Sequence, residues 1–460
     1  MKTPLFKTIA LVILSLVLSG SPAMGATWYV DSDAPFGGDG TSWATAYRDI
    51  QSAVNSASGI WMTCMAPTDS IYVKSGTYSL TSTITVNKVV NIYGGFSNNL
   101  SNPDFSNRDP ETFLTIVTGN DTVRCFNLTD LCKLDGFVIE HGNAGIGSAV
   151  YMWDVEPHDC SFFWVTVKVR NCLIRDNTGT ALYDDGSDVE VSDCTFSGNV
   201  SSTGGAIYHQ GSSPLIERCI FTDNQATAPG SLGGGAIAGW GGNAVTGQVT
   251  RINNCLFYDN YAENKGGAIA YHQVYPRIKN CTFVNNTALN AGGAYHANIS
   301  DAPRIWNCIC WGNSPDQLDL LGSAGQEVRY CDIQGGYTGP SGSNNIDDNP
   351  DFVGGSDYHL QSVSPCIDTG SNGYGITDDL DGRDRPLNGD GDNVADCDMG
   401  AYEYSFVDLI IESIETQPYK PAPGQGIDIE ITITNQGTED AGNFNLDWYA
   451  DRSTPPGSGD

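Results

Sequence analysis

From residue 172 onward, apolar and polar positions alternate only in very short runs, and each run is closed by an asparagine. Cys172 to Asn177, Cys194 to Asn199, Cys219 to Asn224, Cys255 to Asn260, Cys281 to Asn286 and Cys308 to Asn313 repeat one six-residue phrase, with a degenerate copy at Cys331 to Gly336. Cys at position 1 and Phe, Ile or Cys at position 3 lie on one face of a strand, and position 2 lies on the other. Gly136-Phe137-Val138-Ile139 reads as an earlier copy without the cysteine.

A second phrase, Gly-Gly-Ala followed by Ile or Tyr, begins at Gly204, Gly234, Gly266 and Gly292, with a weaker form at Gly147-Ser148-Ala149-Val150. Successive cysteines are 22, 25, 36, 26, 27 and 23 residues apart. No single repeat can bury its own apolar face, and no helical period is long enough to cover a sheet. Stacking the repeats in register solves this, so the pattern predicts an all-β fold, a parallel β-helix, with outward loops near 151–165 and 225–248. In such a stack Asn177, Asn199, Asn224, Asn260, Asn286 and Asn313 form a structural ladder. Their amides hydrogen-bond from coil to coil, and the asparagines themselves are expected to take the left-handed conformation of a tight corner.

Composition changes the picture in two respects. The 460 residues carry 22 Lys+Arg against 54 Asp+Glu, a formal charge of −32, which argues against nucleic-acid and anionic-membrane partners. The first 25 residues read as a signal peptide: Lys2 and Lys7 precede the apolar run Ile9 to Leu18, and Ala23-Met24-Gly25 supplies small residues for cleavage. That run is too short to span a bilayer, so an exported chain without a transmembrane segment is expected. Fourteen cysteines in an exported chain would ordinarily indicate a disulfide framework. Here their repeat positions predict a buried thiol ladder, leaving Cys125 with Cys132, or Cys366 with Cys397, as the more plausible bridges.

The interleaved phrases resemble the F-x-x-N and G-G-A-[ILV] repeats of the polymorphic outer-membrane proteins, surface adhesins with a right-handed β-helix passenger. Trp28-Tyr29-Val30-Asp31, Gly40 to Tyr47 and Ile92 to Phe96 resemble the start of the choice-of-anchor Q type of exported β-helix protein. Ser364 to Asp368, Asp381 to Pro386 and Asp398 to Glu403 resemble its end. The resemblance implies an extracellular or surface location over residues 26–404, and no defined reaction. Both flanks read as caps. Tyr47, Ile50, Val54 and Ala57 fall on one helical stripe suited to closing the N-terminal end of the core. Residues 405–460, with alternation at 407–411 and 426–437, resemble the first part of a CARDB-type Ig-like module. Further modules and a surface anchor are expected beyond it.

Three constellations are candidates for chemistry. Asp184-Asp185 and Arg277-Ile278-Lys279 match parts of the polygalacturonase motif set, whose remaining motifs are absent, so no catalytic residue is assigned. Asp381, Asp384, Asp390, Asp392 and Asp396 offer the oxygen donors that structural calcium prefers, although a solvated turn is the plainer reading. Tyr208, His209, Trp240, Tyr271, His272, Tyr295 and His296 follow the Gly-Gly-Ala phrase. With Ile207, Ile237, Ile269 and Tyr295 inward, Tyr208, Ala270 and His296 share an outward column that can bind a glycan or a surface protein. The expected function is therefore a noncatalytic adhesin or binding scaffold. A polysaccharide lyase or hydrolase and a structural stalk are the alternatives.

Overall fold

The computed structural model describes residues 25–58, 68–97, 103–153, 155, 158–160, 163–241, 249–298, 301–320, 325–392, 394–406, 409–417 and 428–435. The signal segment 1–25 therefore lies outside the described residues except for its last member, as does most of 405–460. No helix among the described residues is long and apolar enough to cross a membrane.

The chain is nearly all β and winds into a parallel β-helix. One turn shows the plan: Leu215–Glu217, Ile220–Thr222, Gln225–Ala226 and Ile237–Trp240 each lie in a different sheet, and Arg251–Asn253 begins the next turn beside the first strand. Corresponding strands of successive turns pair in parallel, building walls of twelve, ten and nine strands with a short four-stranded corner. The phrase from Cys to Asn supplies the ten-stranded wall, and the Gly-Gly-Ala phrase supplies the nine-stranded one.

The interior is filled by like residues stacked on like. Phe196, Phe221, Phe257 and Phe283 stack at centroid separations of 5.0, 4.7 and 4.8 Å with planes within 9° of parallel. The cysteines from Cys172 to Cys331 line the adjacent corner and are buried. The twelve cysteines whose side chains are described are all free, Cys125, Cys132, Cys366 and Cys397 included, which corrects both expected bridges. Cys366 Sγ instead donates to Asp332 Oδ2 at 3.3 Å.

Each ladder asparagine is likewise enclosed. Asn224 donates Nδ2 to Asn260 Oδ1 at 3.0 Å and to Phe196 O at 2.9 Å, while its own Oδ1 accepts from the backbone and side chain of Asn199. The same pattern runs from Asn177 through Asn286 to Asn313, where Gln317 Oε1 accepts the last amide at 2.7 Å. The asparagines are not the left-handed residues. The preceding positions are, Asp176, Gly198, Asp223, Asp259, Asn285 and Gly312, with φ between 52 and 68°. The backbone reverses one residue early so that the asparagine side chain can point inward and replace peptide partners at the corner.

The Gly-Gly-Ala phrase has an equally local cause. Its first glycine has positive φ, as at Gly234 (74°), and a Cβ on the second, Gly235, would lie 2.1 Å from Gly267 O in the next turn. Only glycine permits that approach.

The N-terminal end is capped. Thr27–Val30 pairs with the strand Asp69–Lys74, and the helix Ile50–Ser56, N-capped by Asp49, buries Ile50, Ala53 and Val54. The C-terminal flank does something else. Beyond Asp332–Ile333 the chain runs back along the outside of the ten-stranded wall, where Gly400 N donates to Asn307 O at 2.8 Å and Ala401 N to Thr282 Oγ1 at 2.9 Å. Residues 350–404 are thus a strap more than a cap. The reason is the apolar outward row Leu256, Thr282 and Ile309, which is buried only because the strap covers it. Leu409–Gln417 and Asp428–Asn435 form an antiparallel pair.

Candidate functional site on the nine-stranded wall

Strands of this wall run up to four residues from an inward first position, so positions 1 and 3 face the core and positions 2 and 4 face out. Ile207, Ile237, Ile269 and Tyr295 stack inward at position 1. Position 3 holds Met152, Asp184, His209, Gly239, Tyr271 and Ala297, all buried. His209 and Tyr271 therefore pack inside, ring edge to ring face at 5.2 Å, and burial lowers the His209 pKa to about 4. Along with Tyr295, which is 1% exposed, they cannot meet a ligand on the outer surface. That corrects three of the seven sequence candidates.

The outward second column reads Asn127, Tyr151, Tyr183, Tyr208, Ala238, Ala270, His296 and Asp319. Tyr151 stacks on Tyr183 at 5.4 Å, Tyr183 meets Tyr208 at 5.5 Å with the rings tilted by 49°, and the Arg124 guanidinium lies 4.3 Å over Tyr151. His296 points outward too, but it is buried against Asp319, with Nδ1 2.8 Å from Oδ2. Burial lowers its pKa. His296 is thereby a structural end to the column and not an open contact.

The fourth column reads Trp153, Asp185, Gln210, Trp240 and His272. Trp153 is 63% and Trp240 46% exposed, the two freest aromatic rings of this wall. The Tyr183 hydroxyl donates to Asp185 Oδ2 at 3.2 Å and the Tyr208 hydroxyl to Gln210 Oε1 at 3.5 Å. Burial and the Asp185 carboxylate raise the Tyr183 pKa, so this hydroxyl keeps its proton. The Trp240 ring lies 4.1 Å from that of His272, whose Nδ1 is held 2.7 Å from Asn298 Nδ2. The arrangement is two exposed indoles, three ladder steps or about 14 Å apart, with a fixed carboxylate and amide between them. Trp153, Tyr151 and Tyr183 were absent from the sequence candidates, and Asp185 stood among them only as half of the Asp184-Asp185 pair. Their signal was available, since the weak Gly147 copy and Ala181 start strands in the same register.

The other constellations separate. Asp184 is fully buried, accepts from Ser187 N at 3.0 Å, and is pushed up to about 6 by burial, whereas its neighbour Asp185 faces out. Adjacent strand residues cannot serve one substrate from opposite faces. Arg277 and Lys279 lie on the twelve-stranded wall, where Lys279 Nζ donates to Tyr374 O at 2.6 Å.

The five candidate calcium carboxylates do not converge, and among the described residues no group of three or more His, Cys, Asp or Glu side chains could hold a metal ion. Asp381 Oδ2 lies 2.8 Å from His359 Nε2. Asp390 accepts from Asp392 N, Asp392 from Val394 N, and Asp396 from Asn372 Nδ2, at 3.0, 2.7 and 2.8 Å. Asp384 forms a backbone bridge with Asp378. The strap is instead tied by its own charges: Arg385 and Glu403 pair at 2.8 Å with neither side chain exposed.

A family model agrees with this architecture. Residues 132–237 match the family model of the right handed beta helix region, residues 254–270 the Chlamydia polymorphic membrane protein repeat, and residues 406–458 CARDB. No curated protein matches the chain. Among solved structures, the pectate lyase Pel9A is 13% identical, with a TM-score of 0.44 over 83% of this chain and 97% of that one. The pectin methylesterase from Aspergillus niger in deglycosylated form is 15% identical, with a TM-score of 0.38 over 67% and 90%. The chain thus carries a right-handed parallel β-helix region followed by a segment that matches CARDB.

Proposed function

We propose that this is an exported or cell-surface protein of the choice-of-anchor Q type, which uses the outer face of the nine-stranded wall to hold a glycan without cleaving it. The observation that carries the reading is the fourth outward column. Trp153 and Trp240 present indole faces to which the C–H face of a sugar ring can pack, while Asp185 and Gln210, held in line by Tyr183 and Tyr208, meet its hydroxyls. A row of about 14 Å suits several units of a chain more than a single sugar. With a formal charge of −32, the protein repels polyuronates, so the ligand class is a neutral glycan. The CARDB-matching segment serves as a spacer toward an anchor.

Binding without turnover is the part of the proposal that a polysaccharide screen tests. Neutral and acidic polysaccharides are incubated with the protein, and both retention and new reducing ends or unsaturated uronate absorbance are followed. Retention of a neutral polymer with no new ends is expected. Cleavage abolished by an Asp185→Asn change would replace the scaffold reading with a catalytic one.

A further inference from the structure

The ten-stranded wall carries a second surface, unrelated to the glycan face. Its outward row runs Val138, Leu173, Thr195, Ile220, Leu256, Thr282 and Ile309 in continuous register. The strap covers the last three, leaving the first four as the floor of a groove of roughly 740 Å3. Arg108 to Glu111 and Leu114 close one end, and Leu380, Asp381 and Tyr402 of the strap close the other.

We infer that this groove is a docking site for an extended polypeptide segment bearing small apolar side chains and lysine or arginine, laid along the row in continuation of the strap. The covered half shows what the wall accepts. There, Gly400, Ala401 and Tyr402 lie over the row, Thr282 Oγ1 receives the Ala401 N–H at 2.9 Å, and the corner residue Asn254 donates Nδ2 to Asp378 O at 2.7 Å. Thr195 occupies the same column as Thr282 three turns earlier, so the open half repeats the acceptor.

Charge selects the occupant. Asp109, Glu111, Asp193 and Asp381 line the groove against Arg108 and Arg218. Both arginines are already committed, Arg108 to Asp135 at 2.6 Å and Arg218 to Asp193 and Asp378 at 2.7 and 2.9 Å. Asp193 is paired with Arg218 and Asp381 with His359 at 2.8 Å, so Asp109 and Glu111 make the acidic surplus of the rim, which favours basic side chains. The floor is largely aliphatic, and of the two aromatic residues in the lining Phe137 is 1% exposed and packs on Phe126, while Tyr402 packs at 3.9 Å on His359. That composition fits peptide side chains better than sugar rings.

The test is fluorescence anisotropy on the full chain with a labelled octapeptide alternating lysine and valine, beside a glutamate–valine counterpart. Saturable binding of the lysine peptide is expected, at least tenfold tighter than the glutamate peptide. Thr195→Trp, an outward and half-buried site, should weaken it tenfold or more with an unchanged melting curve. Glu111→Lys, on the rim, should weaken it severalfold should the first variant fold poorly. Trp153→Ala with Trp240→Ala should leave it unchanged, which separates this groove from the glycan face. The inference is overturned by no saturable binding, by binding indifferent to both groove variants, or by displacement with neutral oligosaccharides.

Discussion

Arg385 and Glu403 form an ion pair from which water is excluded, at 2.8 Å. Most of their remaining hydrogen-bonding capacity is turned to backbone: Arg385 Nη1 and Nη2 donate to Asp398 O and Gly400 O, and Glu403 accepts from Asp398 N and Leu387 N, while Arg385 Nε is buried without a partner. Asp379 in turn accepts from Glu403 N and Arg383 N. Removing one member of such a pair leaves a buried charge uncompensated, so Arg385→Ala is expected to cost about 3–5 kcal/mol. The loss falls on the strap, which limited proteolysis should then cut ahead of the β-helix. Because these carboxylates are satisfied internally, EDTA should leave the melting temperature unchanged. A large fall on chelation would show that a bound metal, and not this pair, holds the segment.

The asparagine ladder predicts an asymmetry between two substitutions. Asn224→Ala removes the side-chain acceptor of Asn199 N and Nδ2, one of the two donors to Asn260 Oδ1, and the donor to Phe196 O, at a cost on the order of 3 kcal/mol. Asn224→Asp keeps the shape and the accepting oxygen but places a carboxylate against Asn260 Oδ1. At pH 7 it should destabilise at least as much as alanine and recover part of the loss in acid. Chemical denaturation of the two variants at two pH values checks this.

The thiols should be silent in the folded protein. Burial raises the pKa of Cys132 and Cys366 and pushes Cys125 up to about 12 and Cys397 up to about 11, so neither thiolate nor access is available. A thiol reagent without reductant is expected to find no reaction at these cysteines in the native protein. After denaturation it should react with all twelve cysteines that the structure shows to be free. Recovery of a Cys125–Cys132 or Cys366–Cys397 disulfide peptide would contradict the structure.

Asp332 gives a pH dependence with a definite sign. Burial, with Asp347 and Asp348 nearby, pushes its carboxyl up to about 7, and it receives the Cys366 thiol at 3.3 Å and Asp348 N at 3.3 Å. An unfolded carboxyl titrates near 3.8. The folded state therefore holds a proton that the unfolded chain has released, and the associated stability, complete below the unfolded value, is lost as pH rises through about 7. Asp332→Asn should flatten this decline, so that the variant melts a few degrees above the parent at pH 8 and level with it near pH 4.

What the sequence revealed and what it hid follow one rule. Features repeated every turn were readable because stacking makes them local: the phenylalanine column, the buried cysteines and the Gly-Gly corner each depend on the same residue one turn away. The left-handed residues were legible as well, since Asp, Gly or Asn recurs before every ladder asparagine. Attention to the more regular asparagine hid them. His209 was misplaced because alternation was not carried to the third position of a four-residue strand. The strap could not be read, because Ala401 meets Thr282 across 119 residues with no periodic cue. The outward apolar row at Leu256 and Ile309 was its only trace. In the Asp-rich stretch, composition gave the donors, but the hydrogen bonds that occupy them arise only on folding.

The central claim is that Trp153 and Trp240 form the two ends of a glycan-binding row. The most direct measurement is isothermal titration of a neutral oligosaccharide, chosen from the polysaccharide screen, into the parent and the Trp153→Ala/Trp240→Ala variant. Truncating exposed rings should leave the melt unchanged, so affinity alone is read. At least hundredfold weaker binding is expected in the double variant, with each single variant losing part of it. Equal affinity in parent and double variant, with both proteins folded, would contradict it.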